Sequence, residues 1–275
     1  MKIEIINNKS IAFNENICNF EVIDASEIEK KPLALLKIMV RVKKSFIVLF
    51  DISKIKNLNL TLKKYYFMYK YCLKHNIPIG EKAHDTTNLV YVENSNEDEQ
   101  DKIKEFFHVL LMEDVRAQYN YIYDRTCEKL DDIFRSKNLC DFKNDSCINQ
   151  RMNKTKNKTM GCCYSFYYGK DGLPVNTGLC KHLSEKGCKV KCLKCKMFTC
   201  RYLRKKGVKF ELKDFLLLDT FLNKNQKKYL ETAFFKTQDE IIEKWMEESI
   251  WNFEKSCFCF RSFTNFKVGI VLMPN

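Results

Sequence analysis

Short apolar runs and helical apolar stripes alternate along the first part of the chain. The runs predict β-strands at residues 2–6, 20–23, 45–50 and 88–92. Apolar positions at helical spacing predict helices that begin near Asp24 and near Thr61. This alternation of strands and helices predicts a small α/β sandwich over residues 1–95.

A helical stripe of apolar residues follows the sandwich almost without interruption. It passes through Phe107, Tyr123 and Phe134, and every turn of the pattern keeps an apolar side chain on the same face. The stripe predicts one long connecting helix over residues 96–138.

The last part of the chain is helical in pattern again. Residues 210–254 carry helical spacing, with Thr237 as the expected N-cap of the final helix, and residues 266–273 have the composition of a strand. The predicted fold class is therefore α+β. It combines the N-terminal sandwich, the connecting helix, and a helical, cysteine-rich, metal-binding domain over residues 139–275.

The stretch FIVLFDISKIKNLNLTLKKYYFMYKYCLKHNIPI begins with a strand that ends in Asp51 and leads through a loop into a helix. This order of elements resembles STAS or SpoIIAA-like domains over about residues 1–95. The resemblance implies a fold for this part of the chain, and we carry over no activity from it.

Composition narrows the class of protein further. With 8 Gly and 4 Pro in 275 residues, turn-dense β-sandwiches and barrels are excluded. The N-terminus has no apolar signal-peptide core, and no apolar run reaches the roughly 18 residues that a membrane span needs. We therefore expect a cytoplasmic protein without a membrane partner. In a reducing cytoplasm, 14 cysteines favour metal binding or catalysis over a disulfide framework.

The cysteines and the excess positive charge share one segment. Between Arg151 and Phe210 there are 16 Lys and Arg residues against only Asp171 and Glu185. Nine of the 14 cysteines lie within 61 residues, and these nine are the candidate metal ligands: Cys140, Cys147, Cys162, Cys163, Cys180, Cys188, Cys192, Cys195 and Cys200.

Three of these cysteines have the spacing of a radical SAM motif. Cys188, Cys192 and Cys195 form C-x3-C-x2-C, the arrangement that holds an iron–sulfur cluster in those enzymes. Their partial barrel follows the motif, whereas only 80 residues follow Cys195 here and their pattern is helical. The sequence context therefore excludes a radical SAM enzyme.

The stretches GCCYSF and GLCKHLSEKGCKVKCLKCKMFTCRYL together show a longer pattern. They resemble the cysteine-rich domain of the YkgJ family of zinc- or iron-chelating proteins, and of the related flagellin lysine N-methylases, over about residues 140–205. The matching positions are Cys162, Cys163, Cys180, Leu183, Gly187, Cys188, Val190, Cys200, Arg201 and Tyr202. The resemblance implies a metal site and does not identify a reaction.

Charge and sulfur chemistry also favour a metal in this segment. Nearby Lys and Arg lower the pKa of a cysteine thiol, and the thiolate is the form that binds metal. Four thiolates around Zn²⁺ or around a 4Fe–4S cluster leave a net charge of about −2, which lysines can offset. Irregular cysteine spacing and the YkgJ resemblance favour an iron–sulfur cluster with a structural or redox role, and zinc is the alternative.

Cationic and aromatic side chains are interleaved through the same segment, as they are in surfaces that bind phosphates and bases. An alternative function is therefore a zinc-stabilised nucleic-acid-binding or regulatory protein, whose partner is nucleic acid or an acidic protein. The candidate contact residues are Lys154, Lys156, Lys158, Arg201, Arg204, Lys205 and Lys206.

Enzymatic function has little support from motifs. The sequence has no P-loop, no dinucleotide-binding glycine loop, no H-E-x-x-H and no G-x-S-x-G. The one enzymatic hypothesis follows from the methylase resemblance and is a SAM-dependent modification of protein lysines. No glycine-rich SAM loop accompanies it.

Overall fold

The computed structural model describes residues 2–6, 20–42, 45–77, 79, 87–141, 143, 148, 164–168, 174–179, 183–184, 187–188 and 192–254. The chain forms two compact units, and the division lies between Glu113 and Asp114. None of the helices in these ranges is long and apolar enough to cross a membrane. The structure is mixed and mostly helical, which confirms the coarse α+β class.

A parallel sheet forms the centre of the first unit. Its strands are β1 (Lys2–Ile6), β2 (Phe20–Asp24), β3 (Ser45–Asp51) and β4 (Thr87–Glu93), in the order β1-β4-β3-β2. Every pair of neighbouring strands is parallel, with Val22 opposite Ile47 and Leu49 opposite Tyr91. All four predicted strands are confirmed, because short runs of β-forming residues specify strands.

The helices of the first unit are α1 (Ala25–Lys30), α2 (Pro32–Val42), α3 (Leu58–Lys74) and α4 (Glu97–Leu110). Asp24 begins α1, since its side chain accepts a hydrogen bond from the Ser26 amide at 2.8 Å. Pro32 has no amide hydrogen and begins the next helix, so the region predicted as a single helix divides at Lys31.

Aromatic side chains form the core of the first unit. The ring of Phe107 from α4 lies 5.8 Å from that of Phe50 in β3 and 5.3 Å from that of Tyr65 in α3. All three side chains are buried. Burial of each ring contributes on the order of 2–3 kcal/mol to the stability of this unit. The aromatic contacts also join α3 and α4 to the sheet.

The predicted connecting helix over residues 96–138 is wrong as a single element. Helix α4 ends at Leu110, and α5 (Val115–Ser136) begins five residues later and belongs to the second unit. The Asp114 carboxylate accepts hydrogen bonds from the amides of Arg116 and Ala117, at 2.8 and 3.3 Å. These amides would bond to main-chain carbonyls in a continuous helix, so the Asp114 cap starts a new one.

The second unit is built on α5. Five further helices are described: α6 (Leu193–Met197), α7 (Arg201–Lys205), α8 (Leu216–Phe221), α9 (Lys224–Thr232) and α10 (Gln238–Glu254). The cysteine-rich segment also contains two antiparallel strand pairs, which the prediction of a helical domain did not include: β5 (Tyr164–Tyr168) with β6 (Pro174–Leu179), and β7 (Leu183–Ser184) with β8 (Gly187–Cys188).

Caps divide the predicted helical region 210–254. Asn223 begins α9, because its side chain accepts from the Gln226 amide at 3.0 Å. Thr237 accepts from the Glu240 amide at 3.3 Å, as predicted, and so caps α10. The strand predicted at residues 266–273 lies outside the described residues.

A buried polar contact joins α5, α9 and α10. The Gln226 side-chain amide donates to the Tyr119 hydroxyl at 2.6 Å and to the main-chain oxygen of Trp245 at 2.7 Å. Gln226 and Trp245 are fully buried, so these hydrogen bonds fix the positions of the three helices relative to one another.

Candidate metal centre

Cys192 and Cys195 lie together at the start of α6. Cys192 precedes the first helical residue, and its carbonyl accepts the first helical hydrogen bond, from the Lys196 amide at 3.0 Å. The Cys192 side chain is buried and that of Cys195 is half-buried. The Cys195 thiol is a hydrogen-bond donor to an ionised Cys192, so the two sulfurs of the C-x-x-C pair lie next to each other.

Helix α5 fixes the position of this pair. The Leu193 amide donates to the Tyr123 hydroxyl at 2.9 Å, and both residues are buried. On the next turn of α6, the Lys196 ammonium forms an ion pair with Asp131. Short helices are marginal alone, so these tertiary contacts are what order α6.

A turn more than 35 residues further along the chain completes the surroundings of the sulfurs. It comprises residues 233–237 and joins α9 to α10. The Phe235 amide donates to the Cys195 sulfur at 3.4 Å, and the Cys192 thiol donates to the Ala233 carbonyl at 3.4 Å. When Cys192 is ionised, the amides of Phe235 and Lys236 instead stabilise its sulfur.

These donors determine the acidity of Cys192. The hydrogen bond from the Cys195 thiol, which outweighs burial, and the main-chain amides of Cys195, Lys236 and Phe235 lower the pKa of Cys192 to about 6. Hydrogen bonds to an anion favour the charged form, and a thiolate is the species that ligates metal. The pair can therefore bind a thiophilic cation at neutral pH without first losing a proton from Cys192.

The other predicted ligands divide into described and undescribed positions. Cys200 is buried and precedes α7, and Cys140 is half-buried in the turn after α5. At Cys188 the structure describes the backbone alone, in β8. The remaining predicted ligands lie outside the described residues: Cys147, Cys162, Cys163 and Cys180. Within the described ranges, no group of three or more His, Cys, Asp or Glu side chains could hold a metal ion.

Sequence reasoning missed Cys127, which lies on α5 one turn after Tyr123. It is 4% exposed, and burial raises the pKa of its thiol to about 12. The Lys196 ammonium acts in the opposite direction, and the charges of Asp131, Asp124 and a Cys192 thiolate add to the effect of burial. The only signal was its place on the apolar stripe of α5, which is equally typical of a core residue.

The described cations of the nucleic-acid hypothesis lie in and after α7. Arg204, Lys205 and Lys206 are exposed, and the Lys206 ammonium lies 4.6 Å from the centre of the Tyr202 ring. The side chain of Arg201 and the whole of Lys154, Lys156 and Lys158 lie outside the described residues.

Comparison with protein-family models, with curated proteins and with solved structures finds no match to this chain.

Proposed function

We propose that this chain binds a metal through cysteine thiolates, in the form of an iron–sulfur cluster with a structural or redox role. The observation that carries the proposal is the C-x-x-C pair of Cys192 and Cys195. Its two sulfurs are hydrogen-bonded to each other and accept main-chain amides from a second segment. Metal-bound sulfur needs such donors around it, and a pair of buried structural cysteines does not.

Further thiolates complete the ligand set in this proposal. An iron–sulfur cluster is held by four cysteines, so two come from the rest of the cysteine-rich segment. Cys162, Cys163, Cys180, Cys188 and Cys200 are the first choice, and Cys140 and Cys147 are additional candidates.

The basic residues of the segment serve this centre. A cluster with four thiolates carries a net charge of about −2, and 16 Lys and Arg between Arg151 and Phe210 provide the opposite charge. Ligation also supplies folding free energy to a stretch of the chain that has few long apolar runs.

Anaerobic purification followed by iron, sulfide and zinc analysis tests the proposal. We expect iron and sulfide in equal amounts, a brown protein, and loss of both in Cys192→Ala and Cys195→Ala. The matched control is Cys72→Ala, which removes a buried cysteine of the first unit and should retain the metal. A colourless protein with less than one metal per chain contradicts the proposal. If the analysis finds stoichiometric zinc and no iron, the centre is a zinc site and not an iron–sulfur cluster.

A second candidate function has one observation in its favour. Arg204, Lys205 and Lys206 are exposed, and Lys206 lies over the Tyr202 ring, as in a surface for phosphates and bases. A zinc-stabilised nucleic-acid-binding protein would bind single-stranded oligonucleotides with an affinity that falls steeply between about 50 and 200 mM salt.

Charge reversal separates this candidate from the first. Arg204→Glu with Lys205→Glu should weaken binding of all oligonucleotide sequences alike. Lys228→Glu, at an exposed position of α9, is the control and should leave binding unchanged. Equal binding by both variants argues against a nucleic-acid surface on α7.

A further inference from the structure

Phe235 has an unusual backbone conformation. Its φ angle is +60°, in the left-handed region that bulky residues avoid because the Cβ atom approaches the carbonyl oxygen. Four other non-glycine residues among those that the structure describes have a positive φ. All four are Asn or Asp, which tolerate this region: Asn76, Asn94, Asn138 and Asp141. Phe235 is the one bulky residue in this described set.

Burial of the side chain does not explain the strain at Phe235. The side chain is 40% exposed, and its neighbour Phe234, without a positive φ, is 36% exposed. The contact that the conformation does make is through the backbone. The Phe235 amide donates to the Cys195 sulfur at 3.4 Å.

Converging main-chain amides in a turn that includes a left-handed residue form a concave binding site for an anion. Strained backbone conformations persist at binding sites, where the surrounding structure holds them for a purpose. Amide hydrogen bonds to metal-bound sulfur withdraw charge from the sulfur and tune the metal.

We propose that the 233–237 turn is part of the metal centre, and that Phe235 is a positioning residue whose left-handed backbone directs its amide at the metal-binding sulfur of Cys195. This inference rests on the proposed function. Residues 233–237 contain no metal-ligating side chain. The inference is that this second segment of the chain nevertheless contributes to metal affinity, through its backbone.

A cobalt titration of the full chain tests this role, because Co²⁺ bound to thiolates gives a charge-transfer absorption. The metal-free, reduced protein is titrated anaerobically with Co²⁺ alone. Phe235→Val should weaken Co²⁺ binding about tenfold, since a β-branched residue takes positive φ at higher cost than Phe and the turn opens. Phe67→Val is the matched control: it makes the same substitution at an exposed position of α3 in the first unit and should leave the affinity unchanged.

Two further readouts distinguish positioning from a general loss of structure. Phe235→Gly retains the amide and adopts positive φ freely, so it should bind Co²⁺ at least as tightly as the natural chain. In Phe235→Val the charge-transfer band should move to lower energy, because sulfur without its amide donor releases charge more easily.

Natural affinity in Phe235→Val, or equal weakening in Phe67→Val, overturns the inference while leaving the metal site intact. If Phe235→Val does not fold, weaker Co²⁺ binding by Phe235→Gly than by the natural chain overturns it instead. Failure of the natural chain to bind Co²⁺ removes the proposed function itself, and the role of the turn with it.

Discussion

Two buried cysteines of this chain have opposite acid–base properties. Cys72 lies in α3 of the first unit, and Cys192 lies at the start of α6 in the second; both are fully buried. Burial raises the pKa of Cys72 to about 12, whereas the pKa of Cys192 is lowered to about 6, chiefly by its hydrogen bond from Cys195. The comparison teaches that donors directed at a sulfur, and not its depth, decide whether it is ionised at neutral pH.

The two settings serve different purposes. Cys72 packs as a small apolar side chain in a helix whose neighbouring residues include the buried Tyr65 and Tyr69. Cys192 has a second thiol and main-chain amides around it instead. A sulfur of the first kind adds to a core, and a sulfur of the second kind is prepared for a ligand.

The largest expected difference is in thiolate content. At pH 7 about nine-tenths of Cys192 should be ionised, against about one molecule in 10⁵ for Cys72, given pKa values of about 6 and about 12. Thiolate absorbance of the metal-free, reduced protein, measured from pH 5 to pH 9, should show a step near pH 6. The step should disappear in Cys192→Ala and persist in Cys72→Ala; its persistence in Cys192→Ala contradicts the comparison.

The lowered pKa of Cys192 makes the free energy of unfolding depend on pH in a defined direction. The pKa of Cys192 is lower in the folded chain than its ordinary value of 9.0. Its contribution to the free energy of unfolding is therefore complete above about pH 9 and is lost as the pH falls towards about 6. Cys72 behaves in the opposite way, because its raised pKa contributes stability below about pH 9 that is lost towards about pH 12.

Removal of the Tyr123 hydroxyl should destabilise the second unit, which contains Cys192, and leave the surroundings of Cys72 in the first unit unchanged. Tyr123→Phe leaves the buried Leu193 amide without its acceptor and should reduce the free energy of unfolding of the second unit by about 1–3 kcal/mol. Urea denaturation measures this change. Tyr229→Phe, at a half-buried position of α9 in the same unit, is the comparison variant. If Tyr229→Phe lowers the free energy of unfolding as much as Tyr123→Phe does, the loss in Tyr123→Phe does not come from the Leu193 contact.

Asp51 extends the comparison from sulfur to a carboxylate. Burial acts to raise the pKa of Asp51, but hydrogen bonds from Asn94, Lys54 and Ser53 outweigh it and lower the pKa to about 2. The Ser53 hydroxyl donates at 2.6 Å and the Asn94 amide at 2.9 Å. Buried Asp51 is therefore ionised for the same reason as Cys192.

An acid titration of stability tests Asp51, with an expected effect of about 1–2 kcal/mol. Its contribution is present above about pH 4 and is lost as the pH falls towards about 2, because the folded pKa lies below the ordinary value of 3.8. Asp51→Asn should be less stable than the natural chain at pH 7, and the gap should narrow towards pH 2. If the two chains differ in the free energy of unfolding by the same amount at pH 7 and at pH 2, ionisation of Asp51 is not the cause of the difference.

The strands of the first unit were predictable because their signal is local. The run SFIVLF at residues 45–50 has the apolar, β-forming character of a buried strand, and β3 is Ser45–Asp51. The end of α4 was missed because the apolar stripe continues across residues 111–114. The Asp114 cap there is a stronger determinant of the chain's path than the periodicity.

The candidate site shows the same limit. The spacing of Cys192 and Cys195 identified the pair, since two cysteines in one helical turn come close whatever the rest of the chain does. The 233–237 turn could not be found in this way. Its amides reach the sulfurs through tertiary packing of α9 and α10, and the left-handed conformation of Phe235 contradicts its residue preference.

X-ray absorption at the metal edge of the anaerobically purified protein tests the central claim most directly. If Cys192 and Cys195 hold an iron–sulfur cluster, the spectrum should show a shell of four sulfur atoms at about 2.3 Å around iron, and Cys192→Ala should lose the metal. A metal surrounded only by oxygen and nitrogen, or a metal content and sulfur shell unchanged in Cys192→Ala, would contradict it.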